Sequence, residues 1–160
     1  MRTRLIETIR TISADRHKLV ILLGQFGIGK TGILRDVATE IDGKYVNLNL
    51  ELTERLLTLP RRKYDDGVTA HKLIDELCDE LSPDHEPLLI DNIEILFSPE
   101  LGKLNPIDTF KRISRQRPVV LALPARRVGN HAEYATIGQA DHLKMSLAEF
   151  VYLEMDSNDT

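Results

Sequence analysis

The chain has 160 residues, of which 42% are hydrophobic, and its formal net charge is −4 at pH 7. This composition excludes a disordered chain, and the length predicts one domain over residues 1–155 with a frayed tail at 156–160. The single cysteine, Cys78, excludes a disulfide framework and a metal site built from several cysteines. No apolar run approaches the ~20 residues of a membrane helix, and the charged first residues differ from a secretory signal, so we expect a cytoplasmic protein with no membrane partner.

Apolar residues recur along the chain with the spacing of alternating helices and strands. In chain order, the pattern predicts a helix over 3–16, a buried strand over 19–24, a helix over 30–41, a strand over 45–50, a short helix over 52–59, a helix over 68–81, a buried strand over 87–91, a helix over 106–116, a buried strand over 118–123 and a last strand over 150–155. Residues 61–67 and 124–139 are predicted to be loops. The alternation is typical of an α/β fold, in which ligands bind at the carboxyl ends of the strands.

The first buried strand is followed by the segment GQFGIGKT at residues 24–31, which matches the pattern G-x-x-x-x-G-K-[ST] in full. Glycines let successive backbone N–H groups wrap a phosphate, and the helix that begins here adds the positive end of its dipole. Lys30 is suited to reach the β- and γ-phosphates of ATP, and the Thr31 hydroxyl is suited to ligate Mg²⁺. The predicted nucleotide-binding residues are Gly24, Gln25, Phe26, Gly27, Ile28, Gly29, Lys30, Thr31 and Gly32.

A phosphate-binding loop (P-loop) needs a second carboxylate at the end of a neighbouring strand to hold the metal. The buried run LLID at residues 88–91 ends in Asp91, and we predict that Asp91 is the Mg²⁺ partner of Thr31. The alternative is an aspartate that caps the next turn.

The residue that orients the attacking water is less clearly marked. Asn92 follows Asp91; it can hydrogen-bond a water molecule but cannot accept its proton. Glu94 lies about one turn past Asp91, and Glu51 lies at the end of the strand predicted over 45–50, where RecA-like ATPases also place a glutamate. The alternatives are a solvated carboxylate at 94, a helix first-turn residue at 51, and a site that hydrolyses ATP slowly or only with a partner.

Two arginines, Arg126 and Arg127, follow the strand predicted over 118–123. Additional-strand P-loop ATPases carry a γ-phosphate sensor at this position, so Arg126 is the predicted sensor and Arg127 its alternate. Either arginine could instead act on the nucleotide of a neighbouring subunit, or the pair could simply be solvated.

A second basic group consists of Lys111, Arg112, Arg115 and Arg117. Helical spacing would place the first three on one face, which could contact the phosphates of a nucleic acid. The alternatives are a solvated helix face and a contact with an acidic partner surface, such as helix 68–81 of a second copy. Cys78 lies on the apolar side of that helix and is predicted to be a small core residue.

The chain resembles the BrxF family, the small P-loop proteins of type 3 BREX bacteriophage-defence systems. The similarity spans nearly the whole chain and lies in ADRHKLVILLGQFGIGKT (14–31), YVNLNLELTERLL (45–57), LLIDNIEILF (88–97), PVVLALPAR (118–126) and HAEY (131–134), where relatives are expected to have HPEY. The resemblance implies a bacterial origin, an ATPase-like core and action beside other BREX components. Those components include a large ATPase, a DNA methyltransferase, a phosphatase-like protein and a helicase.

These observations predict an additional-strand P-loop NTPase core with five parallel strands in the order 5-1-4-3-2, helices on both faces and no lid domain. The first functional hypothesis is an ATPase subunit of an antiviral complex, with a homo-oligomer as one form of assembly. The second is an adaptor that binds ATP and recruits another component without useful turnover. The third is a DNA-contacting accessory subunit that uses residues 111–117.

Overall fold

The computed structural model describes residues 1–59, 67–134 and 142–156, which form a five-stranded parallel sheet, a small antiparallel sheet and five α-helices. The elements in chain order are α1 (Arg2–Ile12), β1 (Leu19–Leu23), α2 (Lys30–Glu40), β2 (Lys44–Asn47), α3 (Leu48–Leu56), α4 (Gly67–Leu81), β3 (Leu88–Asp91), α5 (Pro106–Ile113), β4 (Val119–Leu123), β5 (Arg126–Val128), β6 (His131–Tyr134), β7 (Leu143–Ser146) and β8 (Val151–Glu154). Two 3₁₀ turns, Glu94–Phe97 and Pro99–Leu101, lie between β3 and α5. The predicted α/β class with a five-stranded parallel sheet is confirmed.

The strands of the large sheet lie in the order β2-β3-β4-β1-β8. The strand β1 pairs in parallel with β4 on one side and with β8 on the other, so that Leu23 lies beside both Leu123 and Glu154. The predicted order counted only five strands in the chain. Among the described residues, the strands β5, β6 and β7 precede the edge strand β8 in sequence, so the strand that pairs with β1 at this edge is the eighth and not the fifth.

Both faces of the large sheet are covered, which explains why its central strands are continuous apolar runs. Successive side chains of a strand point to opposite faces. Val20 and Leu22 accordingly pack in a core cluster with α1 and α2, while Ile21 and Leu23 pack in a second cluster with α3, α4 and α5. The carboxyl ends of β1, β3 and β4 meet at one edge of the sheet, where the loop at 24–31 begins.

The predicted strand over 45–50 is wrong in its second half, because the chain turns into α3 at Leu48. Asn47 caps this helix by accepting a hydrogen bond from the Leu50 N–H at 3.2 Å. Leu48, Leu52 and Leu56 recur every four residues and are buried. The helical period of these leucines therefore prevails over the short alternation that predicted a strand.

The predicted loop over 124–139 is also wrong, because its first half contains β5 and β6. These strands pair in antiparallel register around the two-residue turn Gly129-Asn130, and β7 adds to β6. Gly129 has a φ of 60°, the left-handed conformation that such hairpin turns require. The rings of Phe97 and Tyr134 stack with centroids 4.0 Å apart, which fixes the small sheet against the turn that follows β3.

Other predicted boundaries shift by a few residues. The predicted helix over 106–116 is present as the shorter α5, and the Asn105 side chain caps it by accepting from the Ile107 and Asp108 N–H groups at 2.9 and 3.3 Å. Apart from Gly67, the predicted loop over 61–67 lies outside the described residues, as do residues 135–139 and residues 157–160 of the predicted tail. Among the helices that the structure describes, none is both long enough and apolar enough to cross a bilayer.

Candidate functional site

A cleft of about 340 Å³ opens at the carboxyl edge of the large sheet, between the glycine-rich loop (residues 24–31) and the residues at the end of β3. The described residues that line it include Phe26, Gly27, Gly29, Lys30, Thr31, Asp91, Asn92 and Glu94. The glycine-rich loop and the carboxylates of Asp91 and Glu94 are about 60 residues apart in sequence. The parallel arrangement of β1, β4 and β3 brings them together, as the rule for ligand sites in open α/β sheets predicts.

The shape of the glycine-rich loop favours glycine at two positions by backbone conformation and leaves little room for a side chain at a third. Gly27 and Gly29 have φ values of 77° and 95°, in the left-handed region that side chains rarely adopt. A Cβ atom on Gly24 would collide with the Ile28 side chain and would lie 3.2 Å from the Met155 carbonyl oxygen. The loop can therefore curl tightly into α2, whose first N–H groups have no acceptor within the helix.

Lys30 is the cationic group of the cleft. Its side chain is buried, and its Nζ donates to the carbonyl oxygens of Gly24 at 2.5 Å and Gln25 at 2.8 Å. Burial lowers the pKa of the Lys30 ammonium below its usual value, while the nearby carboxylates of Asp91 and Glu94 oppose this shift. A phosphate at the loop would supply oxygens to the same ammonium in place of the two carbonyl groups.

Asp91 forms the opposite wall of the cleft and is buried at the end of β3. Its Oδ2 accepts two hydrogen bonds, from the Thr31 hydroxyl at 2.6 Å and from the Tyr45 hydroxyl at 2.8 Å. The predicted pair of Thr31 and Asp91 is thus in direct contact. No local pattern in the sequence marks Tyr45, because its contact with Asp91 depends on the pairing of β2 with β3.

Glu94 reaches the cleft from the first position of the 3₁₀ turn that follows β3. Its Oε2 accepts from the Asn49 side-chain amide at 2.9 Å, and the Asn49 side-chain oxygen accepts from the Ile95 N–H at 2.9 Å. Asn92 turns the chain here with a φ of 54°, which asparagine tolerates better than most residues. Asn49 was also missed, because no local pattern relates it to Glu94.

Glu51 lies in the first turn of α3 rather than at a strand end. Its carboxylate pairs with Arg55 at 3.1 Å, and Arg55 also pairs with Glu80 of α4 at 2.6 Å. Glu51 is not among the described residues that line the cleft. The structure therefore brings Glu94, and not Glu51, to Lys30 and Asp91.

Arg126 and Arg127 are on β5 and are both absent from the described lining of the cleft. Arg126 pairs with Glu133 at 3.1 Å, and Arg127 pairs with Glu154 at 2.6 Å. Both arginines instead line a second cleft of about 310 Å³, which Gly24 and Gln25 also line. In this arrangement neither guanidinium contacts the site of Lys30.

Helical spacing predicted one face for Lys111, Arg112 and Arg115, but α5 ends at Ile113, so Arg115 lies beyond the helix. Arg117, which was not part of that predicted face, is buried. Arg117 donates to the Cys78 carbonyl oxygen and pairs with Asp79, both at 2.9 Å. Arg112 pairs with Asp75 at 2.7 Å. The basic segment and the acidic helix α4 thus contact each other within one chain. Cys78 is buried, as predicted for a core residue.

Neither a scan against protein-family models nor a search of curated proteins finds a match for this chain.

Proposed function

We propose that the chain is an ATP-binding P-loop protein whose glycine-rich loop holds the phosphates of ATP and whose Thr31 and Asp91 hold Mg²⁺. The observation that carries the proposal is the 2.6 Å contact between the Thr31 hydroxyl and the Asp91 carboxylate. It joins Thr31, in the first turn of α2, to the carboxylate at the end of β3. Hydroxyl and carboxylate oxygens are the ligands that Mg²⁺ prefers, so the donor set fits the metal.

The roles of the residues follow from their chemistry. The N–H groups at the start of α2 and the glycine-rich backbone would bind phosphate oxygens, because a helix N-terminus favours an anion. Lys30 would place its ammonium against the terminal phosphates. When bound, Mg²⁺ would be held by Thr31 and Asp91 and would supply positive charge that offsets part of the negative charge of the phosphates.

We further propose that Glu94 accepts a proton from the attacking water and that the protein is an ATPase. Glu94 supports this role because it lines the same cleft as Lys30 and Asp91, whereas Glu51 is paired with Arg55 outside it. The resemblance to the BrxF family suggests that the ATPase works as a subunit of a bacterial antiviral complex, beside other BREX components.

A thermal-shift titration with Mg-ATP tests the proposed site. At 100 times its Kd, a ligand that binds only the native state adds about 2.7 kcal/mol of stability. For a domain of this size, that corresponds to a rise of about 5–11 °C in the melting temperature. The Lys30→Ala variant should lose most of this rise, whereas Lys72→Ala, which removes an exposed lysine on α4, should keep it. An equal rise in the Lys30 and Lys72 variants would refute the site.

A nucleotide-gated adaptor is the second candidate function. It is favoured by the pairing of Arg126 with Glu133, which leaves the predicted sensor outside the cleft, and by the hydrogen bond that holds Glu94 on Asn49. A phosphate-release assay with and without DNA separates the two candidates. Binding of ATP without turnover in either condition would favour the adaptor. The structure gives DNA contact less support, because the buried Arg117 and the paired Arg112 already have partners within the chain.

A further inference from the structure

Tyr45 contacts the candidate metal residue Asp91 directly. Its hydroxyl donates to Asp91 Oδ2 at 2.8 Å, the same oxygen that accepts from the Thr31 hydroxyl at 2.6 Å. In the parallel pairing of β2 with β3, Asn47 lies beside Asp91, and Tyr45 lies two residues earlier. A diagonal neighbour of this kind points to the same face of the sheet, and the length of a tyrosine side chain lets it reach.

Tyr45 also contacts a cationic side chain on α2, that of Arg35. The Arg35 guanidinium carbon lies 4.8 Å from the centroid of the Tyr45 ring, a distance typical of a cation–π contact. Arg35 follows Thr31 by four residues, so the two side chains lie on the same side of α2. One helix therefore supplies both the hydroxyl that contacts Asp91 and the cation that holds the tyrosine.

The two hydrogen bonds constrain the Asp91 carboxylate in a particular way. Both end on Oδ2, while Oδ1 accepts no hydrogen bond from the described part of the chain. A carboxylate fixed by two donors on one oxygen cannot rotate freely, which leaves its other oxygen available on a defined side. Groups that orient a metal ligand in this way affect metal affinity without contacting the metal.

We propose that Tyr45 is a positioning residue for the divalent cation at Asp91, and that Arg35 holds Tyr45 in place for this role. The inference rests on the proposed function, because it assumes that Asp91 binds the metal of a metal–nucleotide pair. It adds a residue on β2 to a site otherwise built from the glycine-rich loop and the end of β3. Tyr45 acts on metal affinity, while Lys30 and the loop act on the phosphates.

The test is a magnesium titration of the ATP-dependent rise in melting temperature, with binding of Mn²⁺ alone, measured by electron paramagnetic resonance, as a second readout. Tyr45→Phe keeps the ring and removes the hydroxyl. We expect it to raise the half-saturating Mg²⁺ concentration about tenfold, the lower end of the usual effect of such residues. Binding of ATP in the presence of EDTA should stay at the wild-type level, because the phosphate contacts are unchanged.

Tyr152→Phe is the matched control, since it removes the same atom from β8 at the opposite edge of the sheet. We expect wild-type metal dependence from it. Arg35→Gln should shift the half-saturating Mg²⁺ concentration in the same direction as Tyr45→Phe, by a smaller factor. This variant keeps the test decisive if the tyrosine variant folds poorly.

The outcomes separate the inference from the proposed function. Equal half-saturating Mg²⁺ concentrations in wild type, Tyr45→Phe and Arg35→Gln would overturn the role of Tyr45 while leaving the metal–nucleotide site intact. Equal losses of ATP binding with and without Mg²⁺ in Tyr45→Phe would indicate a merely structural tyrosine and would also overturn it. A wild-type protein that ATP does not stabilise at any Mg²⁺ concentration would overturn the proposed function, and the assignment of Tyr45 with it.

Discussion

The side chain of Asn49 holds both the Glu94 carboxylate and the turn that carries it. Its amide donates to Glu94 Oε2 at 2.9 Å, and its oxygen accepts from the Ile95 N–H at the same distance. The first turn of α3 is thereby tied to the chain just after β3. Glu94 is the carboxylate proposed to activate water, so the orientation of this group depends on a residue 45 positions away in sequence.

An aspartate at position 49 would test this contact. Asn49→Asp places a second carboxylate within hydrogen-bonding distance of Glu94, and two carboxylates this close cannot both ionise without repulsion. We expect the melting temperature of Asn49→Asp to fall below that of wild type at pH 7 and the difference to shrink toward about pH 4, where one carboxylate takes up a proton. Asn49→Ala should lower the free energy of unfolding by about 1–3 kcal/mol, and this loss should depend less on pH than that of Asn49→Asp. Parallel pH curves for the two variants would contradict the contact.

The pair Glu94→Gln and Glu51→Gln tests which carboxylate serves hydrolysis. Each change keeps the shape of the side chain and removes the proton acceptor. Glu94→Gln should bind ATP but lose turnover by about 10²–10⁴-fold, the usual size of general-base help. Glu51→Gln should keep wild-type turnover, because Glu51 pairs with Arg55 outside the cleft. The reverse result in a phosphate-release assay would favour the RecA-like placement of the base at Glu51.

Arg117 is expected to matter for stability rather than for binding a partner. Its side chain is only 2% exposed and donates to the Cys78 carbonyl oxygen. Arg117→Ala removes that donor and leaves a cavity, so it should lower the free energy of unfolding in urea by about 2–4 kcal/mol. Arg115→Ala removes an exposed arginine from the same basic segment and should change stability by less than about 0.5 kcal/mol. Equal effects of the two changes would contradict the burial of Arg117.

Cys78 provides a probe of unfolding, because it is the single cysteine of the chain. Burial raises the pKa of its thiol to about 12. The thiolate is the reactive form, so the native protein should react with iodoacetamide far more slowly than the protein in urea. Labelling of the native protein near neutral pH at the rate of a free thiol would contradict the predicted core position.

The stability that the pairing of Glu133 with Arg126 contributes should be lost in acid. The hydrogen bond and charge of Arg126 lower the pKa of Glu133 below its usual 4.5, against burial, which raises it. The folded carboxylate binds a proton less readily than the unfolded one. The contact therefore contributes stability above the usual carboxyl pKa and loses it as the pH falls through the lower folded value. Melting temperatures of Glu133→Gln should vary less than those of wild type over about pH 3–6, and identical profiles would contradict the pairing.

Local patterns were sufficient for the features that depend on neighbouring residues in the chain. The apolar runs at residues 19–24, 87–91 and 118–123 indicated buried strands, because a strand covered on both faces has no polar side. The glycine-rich turn into α2 was recognisable because such a turn needs residues in the left-handed conformation, which Gly27 and Gly29 adopt. Asp91 was recognisable because it ends such a buried run.

Local patterns predicted the wrong element where two of them competed or where the signal was short. The alternation at residues 45–50 indicated a strand, but Leu48, Leu52 and Leu56 bury one face of a helix against the core. Tertiary burial decides between the helical period and the strand period, because a run of only a few residues is compatible with both. The Gly129-Asn130 turn was a hairpin signal that the prediction of a loop over 124–139 overlooked.

Only the tertiary structure decided which side chains meet at the candidate site. The contacts of Tyr45 with Asp91 and of Asn49 with Glu94 join residues about 45 positions apart. They depend on the pairing of β2 with β3 and on the turn into α3, which no local spacing encodes. The same holds for Arg117, whose burial depends on how the segment before β4 packs against α4. Turn conformation and hydrophobic periodicity depend on residues that are neighbours in sequence. The contact partner of a side chain depends instead on strand order and register, which the whole chain determines when it folds.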